Sequence, residues 1–185
     1  FFKIKDIISH LGKKKFPKAL FLENVKNFKS HDKHRTYERV RDELSSLGYS
    51  VYTKILNTAD YTQIPQNRER TFMVCFQGES GWKDYQLDEL SKFHTDVDAK
   101  KKYPMTYAYH EKFHKLKKKT PKLISEFLDE TSIIPDRYFY DTRFKITKKL
   151  KEDMEDPATL YQWRRVYTRV NKNNQCPTLT ANMGT

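Results

Sequence analysis

The apolar positions of the first 76 residues switch between two periods. Ile4, Ile7, Ile8 and Leu11 recur at helical spacing, and Gly12 stands where such a helix would end. Lys13, Lys14 and Lys15 then fall at the negative end of its dipole. Ala19-Leu20-Phe21-Leu22 is a short continuous apolar run, the mark of a strand buried on both faces. Val40, Leu44 and Leu47 return to the helical period, closed by Gly48. Residues 49–56, rich in β-branched and aromatic side chains, predict a strand, as does Thr71-Phe72-Met73-Val74-Cys75-Phe76. Between these last two lies a polar connection over 57–69 that contains Pro65. Connections that long are often functional.

Chain-connection rules turn this α/β pattern into a topology. A strand–helix–strand crossover sets the strands at 19–22 and 49–56 parallel. If the strand at 71–76 pairs with its predecessor it runs antiparallel, and its start lies at the sheet edge where the strand at 19–22 ends. Two polar motifs then converge on that edge: Glu23-Asn24-Val25, leaving one strand, and Gln66-Asn67-Arg68-Glu69-Arg70, entering the other. Open α/β sheets bind ligands at their carboxyl edge.

The pattern changes after Phe76. Gln77-Gly78-Glu79-Ser80-Gly81 is a turn-rich break, and a domain boundary falls near 77–95. Residues 98–119 are dense in lysine with interleaved aromatics, among them Lys101, Tyr103, Tyr107, Tyr109, Phe113 and Lys118. Thr120-Pro121, a cap followed by a first-turn proline, predicts a helix through Leu123, Ile124, Phe127 and Leu128. Residues 137–170 mix basic and aromatic side chains without clear periodicity. The remainder therefore forms a second, smaller domain of irregular α+β type.

Composition narrows the partner. The 185 residues carry 36 Lys+Arg against 24 Asp+Glu, a formal net charge of +12, which favours a polyanion. Charged residues make up 32% and hydrophobic ones 37%, so the core is modest and basic faces stay solvated unless a partner covers them. No apolar run approaches the ~20 residues that span a bilayer and no signal peptide is visible, so nucleic acid is favoured over membrane. Cys75 and Cys176 have no metal or disulfide spacing, which fits a reducing cytoplasm. His10, His31, His34, His94, His110 and His114 show no ligand spacing either; they are expected at the surface or near phosphate, with no metal. The chain starts at Phe1 without a methionine and stops at Thr185. Both ends look cut, and a piece of a longer protein is expected.

Taken singly, the two motifs are ambiguous. A desolvated strand-end Glu23 could hold a proton near neutrality, or could be an ordinary exposed glutamate. Arg68 and Arg70 share a face by strand alternation, which suits an anion site or a surface ion pair equally.

Together they resemble the DNA cytosine-5 methyltransferase family. The resemblance rests on Phe21 to Phe28 around Glu23-Asn24-Val25, on Leu56-Asn57-Thr58-Ala59-Asp60-Tyr61, and on Ile64-Pro65-Gln66-Asn67-Arg68-Glu69-Arg70. Gln175-Cys176-Pro177-Thr178-Leu179-Thr180-Ala181 is similar to the family's late bracing motif. The resemblance implies part of a Rossmann-like methyltransferase sheet over 1–90, followed by a target-recognition domain over 91–185. It implies a bacterial restriction-modification enzyme that transfers a methyl group from S-adenosyl-L-methionine to C5 of a cytosine flipped out of duplex DNA. Glu23 matches the acid that protonates N3, and Arg70 the arginine that contacts the base carbonyl and steadies that acid. Asn24, Gln66 and Arg68 match supporting positions. In the recognition domain Arg143, Arg164, Arg165 and Arg169 are candidates for base or phosphate contacts, and Lys101 and Lys118 for phosphate contacts or plain solvation. Trp163 and the tyrosines read as core of that domain.

The chain departs from the family pattern in two ways. It has no Pro-Cys nucleophile, since Cys75 lies mid-strand and Cys176 precedes its proline. It also lacks the glycine-rich cofactor loop, so its cofactor-binding residues are unknown. Alone, it is expected neither to methylate nor to bind the cofactor tightly. The missing half would come from an N-terminal part of the same enzyme or from a partner subunit. A non-catalytic DNA-binding subunit of a split enzyme is one alternative reading, and an RNA cytosine-5 methyltransferase is another.

Overall fold

The computed structural model of the chain describes residues 1–82, 97–127, 133–156, 159–164, 166–171 and 175–178. Its contacts divide the chain into two compact units. The first combines 1–56 with 69–117 and the second combines 57–68 with 118–185.

The first unit is built on a mixed α/β layer. Helix α1 (Phe2–His10), strand β1 (Ala19–Val25), helix α2 (Arg35–Ser46) and strand β2 (Tyr52–Asn57) follow the periodicities described above. Gly12 and Gly48 end the two helices with φ of 73° and 92°, values a β-carbon would resist. Strand β4 (Glu69–Phe76) follows β3 (Gln66–Asn67), which belongs to the other unit. The sheet order is β1-β4-β2. β4 runs antiparallel to β1, from Ala19 opposite Phe76 to Val25 opposite Arg70. On its other side the antiparallel Tyr49–Gln77 bridge leads into β2. β4 thus pairs with its predecessor, as topology predicts, and also separates the two parallel strands.

That insertion leaves β1 at an edge among the described residues. Leu20 and Leu22 pack on the core of Ile8, Tyr37, Val40, Leu44, Tyr49, Val51, Met73 and Cys75. Phe21 points the other way, 66% exposed, and stacks on Phe72 with ring centroids 5.5 Å apart. The expectation of a strand buried on both faces therefore holds for one face only. On α1, Ile8 is buried while Ile7 remains 64% exposed. Lys5 forms an ion pair with Glu43 that ties α1 to α2, and it holds the Glu43 carboxyl below the usual range.

The lysine-rich stretch after the break is helical: α4 (Val97–Lys102) and α5 (Pro104–His114). Tyr52, Trp82, Ala99 and Tyr107 form a second buried cluster there, joined by Tyr103, Tyr109 and Phe113. Glu79, 6% exposed, accepts the backbone N–H groups of Met105 and Thr106 at 2.7 and 2.8 Å. It thereby caps the start of α5. His110 is 2% exposed, with its ring 5.4 Å from that of Tyr52. For His110 this corrects the expectation of a place at the surface or near phosphate; the placements of the His94 residue and the His114 side chain fall outside the described residues. Residues 97–117 thus pack with the first unit, whereas the sequence division at 90/91 groups them with the second.

In the second unit, Asn57 caps the short helix α3 (Thr58–Tyr61) through its side-chain oxygen. The helix predicted from Thr120-Pro121 does not start there. That backbone instead runs along the 57–68 segment, with Lys119 N–H donating to Asp60 O at 2.8 Å and Lys122 N–H to Gln63 O at 3.0 Å. A single 3-10 turn follows at Ile124–Phe127. Helix α6 (Thr147–Asp153) precedes an antiparallel hairpin of β5 (Leu160–Arg164) and β6 (Tyr167–Asn171). β7 (Cys176–Pro177) pairs in parallel with β3, Gln66 opposite Cys176 and Asn67 opposite Pro177. The late motif found in the sequence therefore braces the start of the Gln-x-Arg-x-Arg segment. Its residues 179–181 and Arg165 lie outside the described residues.

Candidate active site

Register brings Glu23 to Arg70. Val25 is opposite Arg70, and Glu23, two residues before Val25, projects from the same face. The diagonal neighbours meet: Arg70 Nε donates to Glu23 Oε1 at 2.8 Å. A second donor of the same guanidinium, Nη1, reaches the Glu69 carbonyl at 2.9 Å. The Arg70 side chain is 17% exposed and that of Glu23 45%. The arginine is thus fixed by two acceptors, while the second carboxylate oxygen has no partner among the described residues and the approach is open. The desolvation suggested by the strand-end position is not what surrounds Glu23 in this chain.

The strand ends around the pair are held by side chains. Asn24 Oδ1 accepts the Val25 N–H at 2.8 Å. Lys26 and Glu69 form a further ion pair at 2.7 Å. Thr71, fully buried, is placed to donate its hydroxyl to Val25 O or Lys26 O, each at 3.2 Å. At that point β1 gives way to a 3-10 turn over Lys26–Phe28, and its carbonyls leave the ladder. Thr71 and Lys26 were missed by sequence reasoning, because neither has a role until the register is known. A cavity of about 230 Å³ opens beside the pair, lined by Glu23, Asn24 and Thr71 with Phe1, Phe28 and Met73 among its apolar walls.

Gln66 and Arg68 lie in the second unit, while the first resumes at Glu69. What fixes them is backbone: Gln66 pairs in the β3–β7 ladder, and Arg68 N–H donates to Asn57 Oδ1 at 2.9 Å. The Gln-x-Arg-x-Arg motif thus straddles the division of the chain.

A family model described as C-5 cytosine-specific DNA methylase matches residues 1–185. The chain belongs to that family. Among curated relatives, the Type II methyltransferase M.Bsp6I of Bacillus sp. (strain RFL6) is 34% identical over 172 residues, covering 92% of this chain and 46% of that protein. M.HhaI of Haemophilus parahaemolyticus is 41% identical over 90 residues, 49% of this chain and 27% of that one. M.HaeII of Haemophilus aegyptius is 32% identical over 156 residues, 84% and 38% respectively. The chain thus spans less than half the length of these relatives. A crystal structure of S. pombe Dnmt2 methyltransferase superimposes with a TM-score of 0.50 at 17% identity, over 83% of this chain and 40% of that one. That likeness shows a shared methyltransferase fold.

The chemistry of a cytosine-5 methylase also needs a thiolate and a methyl donor. Cys75 is fully buried in β4. Cys176 is half-buried in the β3–β7 pairing, and burial pushes its thiol up from the ordinary value, away from the reactive thiolate. The described residues do not form the glycine-rich loop expected for S-adenosyl-L-methionine. Among them, Gly12, Gly48, Gly78 and Gly81 occur in separate turns with positive φ. The cavity beside Glu23 is smaller than the ~300–1,000 Å³ of small-molecule sites.

The basic candidates differ in their electrostatic surroundings. Lys118 is paired with Asp60 at 2.8 Å, which raises its ammonium above the ordinary value. Arg143 Nε lies 2.7 Å and 2.9 Å from the two Asp141 oxygens, and that contact holds the Asp141 carboxyl low. Lys101, Arg164 and Arg169 are exposed and form no ion pair among the described residues. Trp163 is part-buried in β5.

Proposed function

We propose that this chain carries the base-activating half of a DNA cytosine-5 methyltransferase site together with the DNA-recognition element. The observation that carries the reading is the Glu23–Arg70 pair, held at the joined ends of β1 and β4 beside a cavity. A flipped cytosine at this edge would meet Glu23 at N3 and the exocyclic amine, and Arg70 at the base carbonyl. Glu23 acts as a general acid: a proton delivered to N3 makes C6 electrophilic. Arg70 orients the acid and balances its charge. Asn24 fixes the backbone that presents Glu23, and Gln66 and Arg68 brace the approach to Arg70.

S-adenosyl-L-methionine is the family's methyl donor; neither its site nor the attacking thiolate is provided by the described residues. Further polypeptide, from the same protein or a partner subunit, is required for turnover. The exposed apolar side chains of Ile7, Phe21 and Val25 support a body that covers α1 and β1. Duplex DNA is held by basic side chains of the recognition element, Arg143, Arg164, Arg165, Arg169 and Lys118, and by Lys101 of the first unit. Of these, Arg143 and Lys118 would exchange a carboxylate for phosphate. The Type II methyltransferase relatives favour DNA over RNA.

The test is Glu23→Gln in the complete methyltransferase. Methyl transfer is expected to fall about 100- to 10,000-fold, the usual worth of a general acid, while duplex affinity is kept. Equal loss of rate and affinity would make Glu23 a structural residue.

A further inference from the structure

The asparagine of Leu56-Asn57-Thr58-Ala59-Asp60-Tyr61 makes more hydrogen bonds than a helix cap requires. Asn57 Oδ1 accepts the Ala59 N–H at 3.4 Å, the ordinary cap of α3. The same oxygen accepts the Arg68 N–H at 2.9 Å, a donor shared with the Gln66 carbonyl at 3.0 Å. From its other end, Asn57 Nδ2 donates to Asn67 Oδ1 at 2.9 Å. Thr58 completes the arrangement by donating its N–H to the Arg68 carbonyl at 3.1 Å. Both backbone groups of Arg68 are therefore held by two neighbouring residues, Asn57 and Thr58.

A cap alone would not select this side chain. Serine and aspartate cap as well as asparagine, whereas only an amide offers an acceptor and a pair of donors at once. The bonds to Asn67 and Arg68 span 10 and 11 residues of chain, so they fix the return of the long polar connection rather than the helix. That return is held from a second side as well. Gln66 and Asn67 pair with Cys176 and Pro177, and the Thr178 hydroxyl donates to the Asn67 carbonyl at 3.0 Å. Residues 66–68 are thus clasped through their backbone just before β4 begins. Next along the chain comes the Glu69 carbonyl, which anchors Arg70 Nη1, and then Arg70, which reaches Glu23.

We propose that Asn57 is a positioning residue for methyl transfer, which sets, through the Arg68 peptide, the direction from which the chain delivers Arg70. The inference rests on the methyltransferase reading above and adds to it a residue outside the Glu23–Arg70 pair. The route is short: a hydrogen bond to the Arg68 N–H, one residue to the carbonyl that anchors the guanidinium, and one more to Arg70 itself. Such a residue acts on rate, because a misplacement of about 1 Å at the reacting groups costs up to about 100-fold.

The experiment compares the complete methyltransferase with its Asn57→Ser, Asn57→Asp and Arg70→Ala variants and with Asn57→Ser combined with Arg70→Ala. Steady-state kinetics on duplex DNA and thermal unfolding are measured for each. Asn57→Ser keeps the cap and is too short for the clasp, so kcat should fall about 10- to 100-fold with KM for DNA and the unfolding midpoint unchanged. Asn57→Asp keeps an acceptor of the same length for the Arg68 N–H and should restore most of the rate. In the double variant the two losses should not add, since a residue that acts through Arg70 has nothing to orient once Arg70 is gone. A wild-type rate for Asn57→Ser, or a raised KM at unchanged kcat, would overturn the proposal and leave Asn57 a helix cap. Losses that add in the double variant would overturn it too, whatever the unfolding midpoint does, because they make Asn57 independent of Arg70. An undiminished rate for Arg70→Ala would instead count against the reading of the site itself and remove this inference with it.

Discussion

At the scale of residues, the site is a matter of who fixes whom. Arg70 is anchored by Glu23 and the Glu69 carbonyl, and the end of β1 is anchored by Thr71. Glu23 and Arg70 were legible because their motifs flank two apolar runs whose directions follow from connection rules. Thr71 was not legible, since its task depends on which carbonyls the ladder leaves behind. Its hydroxyl makes a direct prediction. Thr71→Val keeps the shape and removes the donor, so stability should drop by about 1 kcal/mol, seen by urea denaturation. In the complete enzyme kcat should fall several-fold with KM for DNA unchanged, and Thr71→Ser should restore it. Loss of stability with kcat intact would confine Thr71 to a structural role.

At the scale of elements, legibility followed the kind of side chain that is buried. α1, α2 and the strands have apolar stripes, and their periods announced them. α5 did not, because its buried positions include Thr106 and His110 beside Tyr107. With Ala99 and Tyr103, these positions have the spacing of a helix face that an apolar template overlooks. The Thr120-Pro121 signal failed for the opposite reason: backbone pairing of Lys119 and Lys122 with the 57–68 segment overrode a sound local cap. What holds α5 on the sheet is testable. Ser50 and Thr106 hydroxyls meet at 2.6 Å, and Glu79 caps the helix beside them. Glu79→Ala should cost about 1.5–3 kcal/mol, the range of hydrogen bonds to a charged group, and Glu79→Gln less. Thermal unfolding followed by circular dichroism reads both, and an unchanged midpoint for the alanine variant would refute the cap.

At the scale of the whole molecule, the chain interleaves two units: residues 57–68, which lead into Arg70, pack with 118–185. The sequence placed one boundary near 77–95, because a linear reading cannot see a loop claimed by a later strand. The pairing of β3 with β7 explains why the Gln-Asn and Cys-Pro-Thr motifs belong together. A chain of net charge +12, with exposed apolar faces on α1 and β1, fits a component that meets DNA and further polypeptide at once. The most direct measurement is transfer of labelled methyl from S-adenosyl-L-methionine to duplex DNA. It compares this chain alone, a complementing chain that supplies the thiolate and cofactor site, and the two combined. No transfer is expected from either alone, transfer to cytosine C5 from the combination, and at least 100-fold loss when the combination carries Glu23→Gln. Turnover by this chain alone, or full activity with Glu23→Gln, would contradict the proposed function.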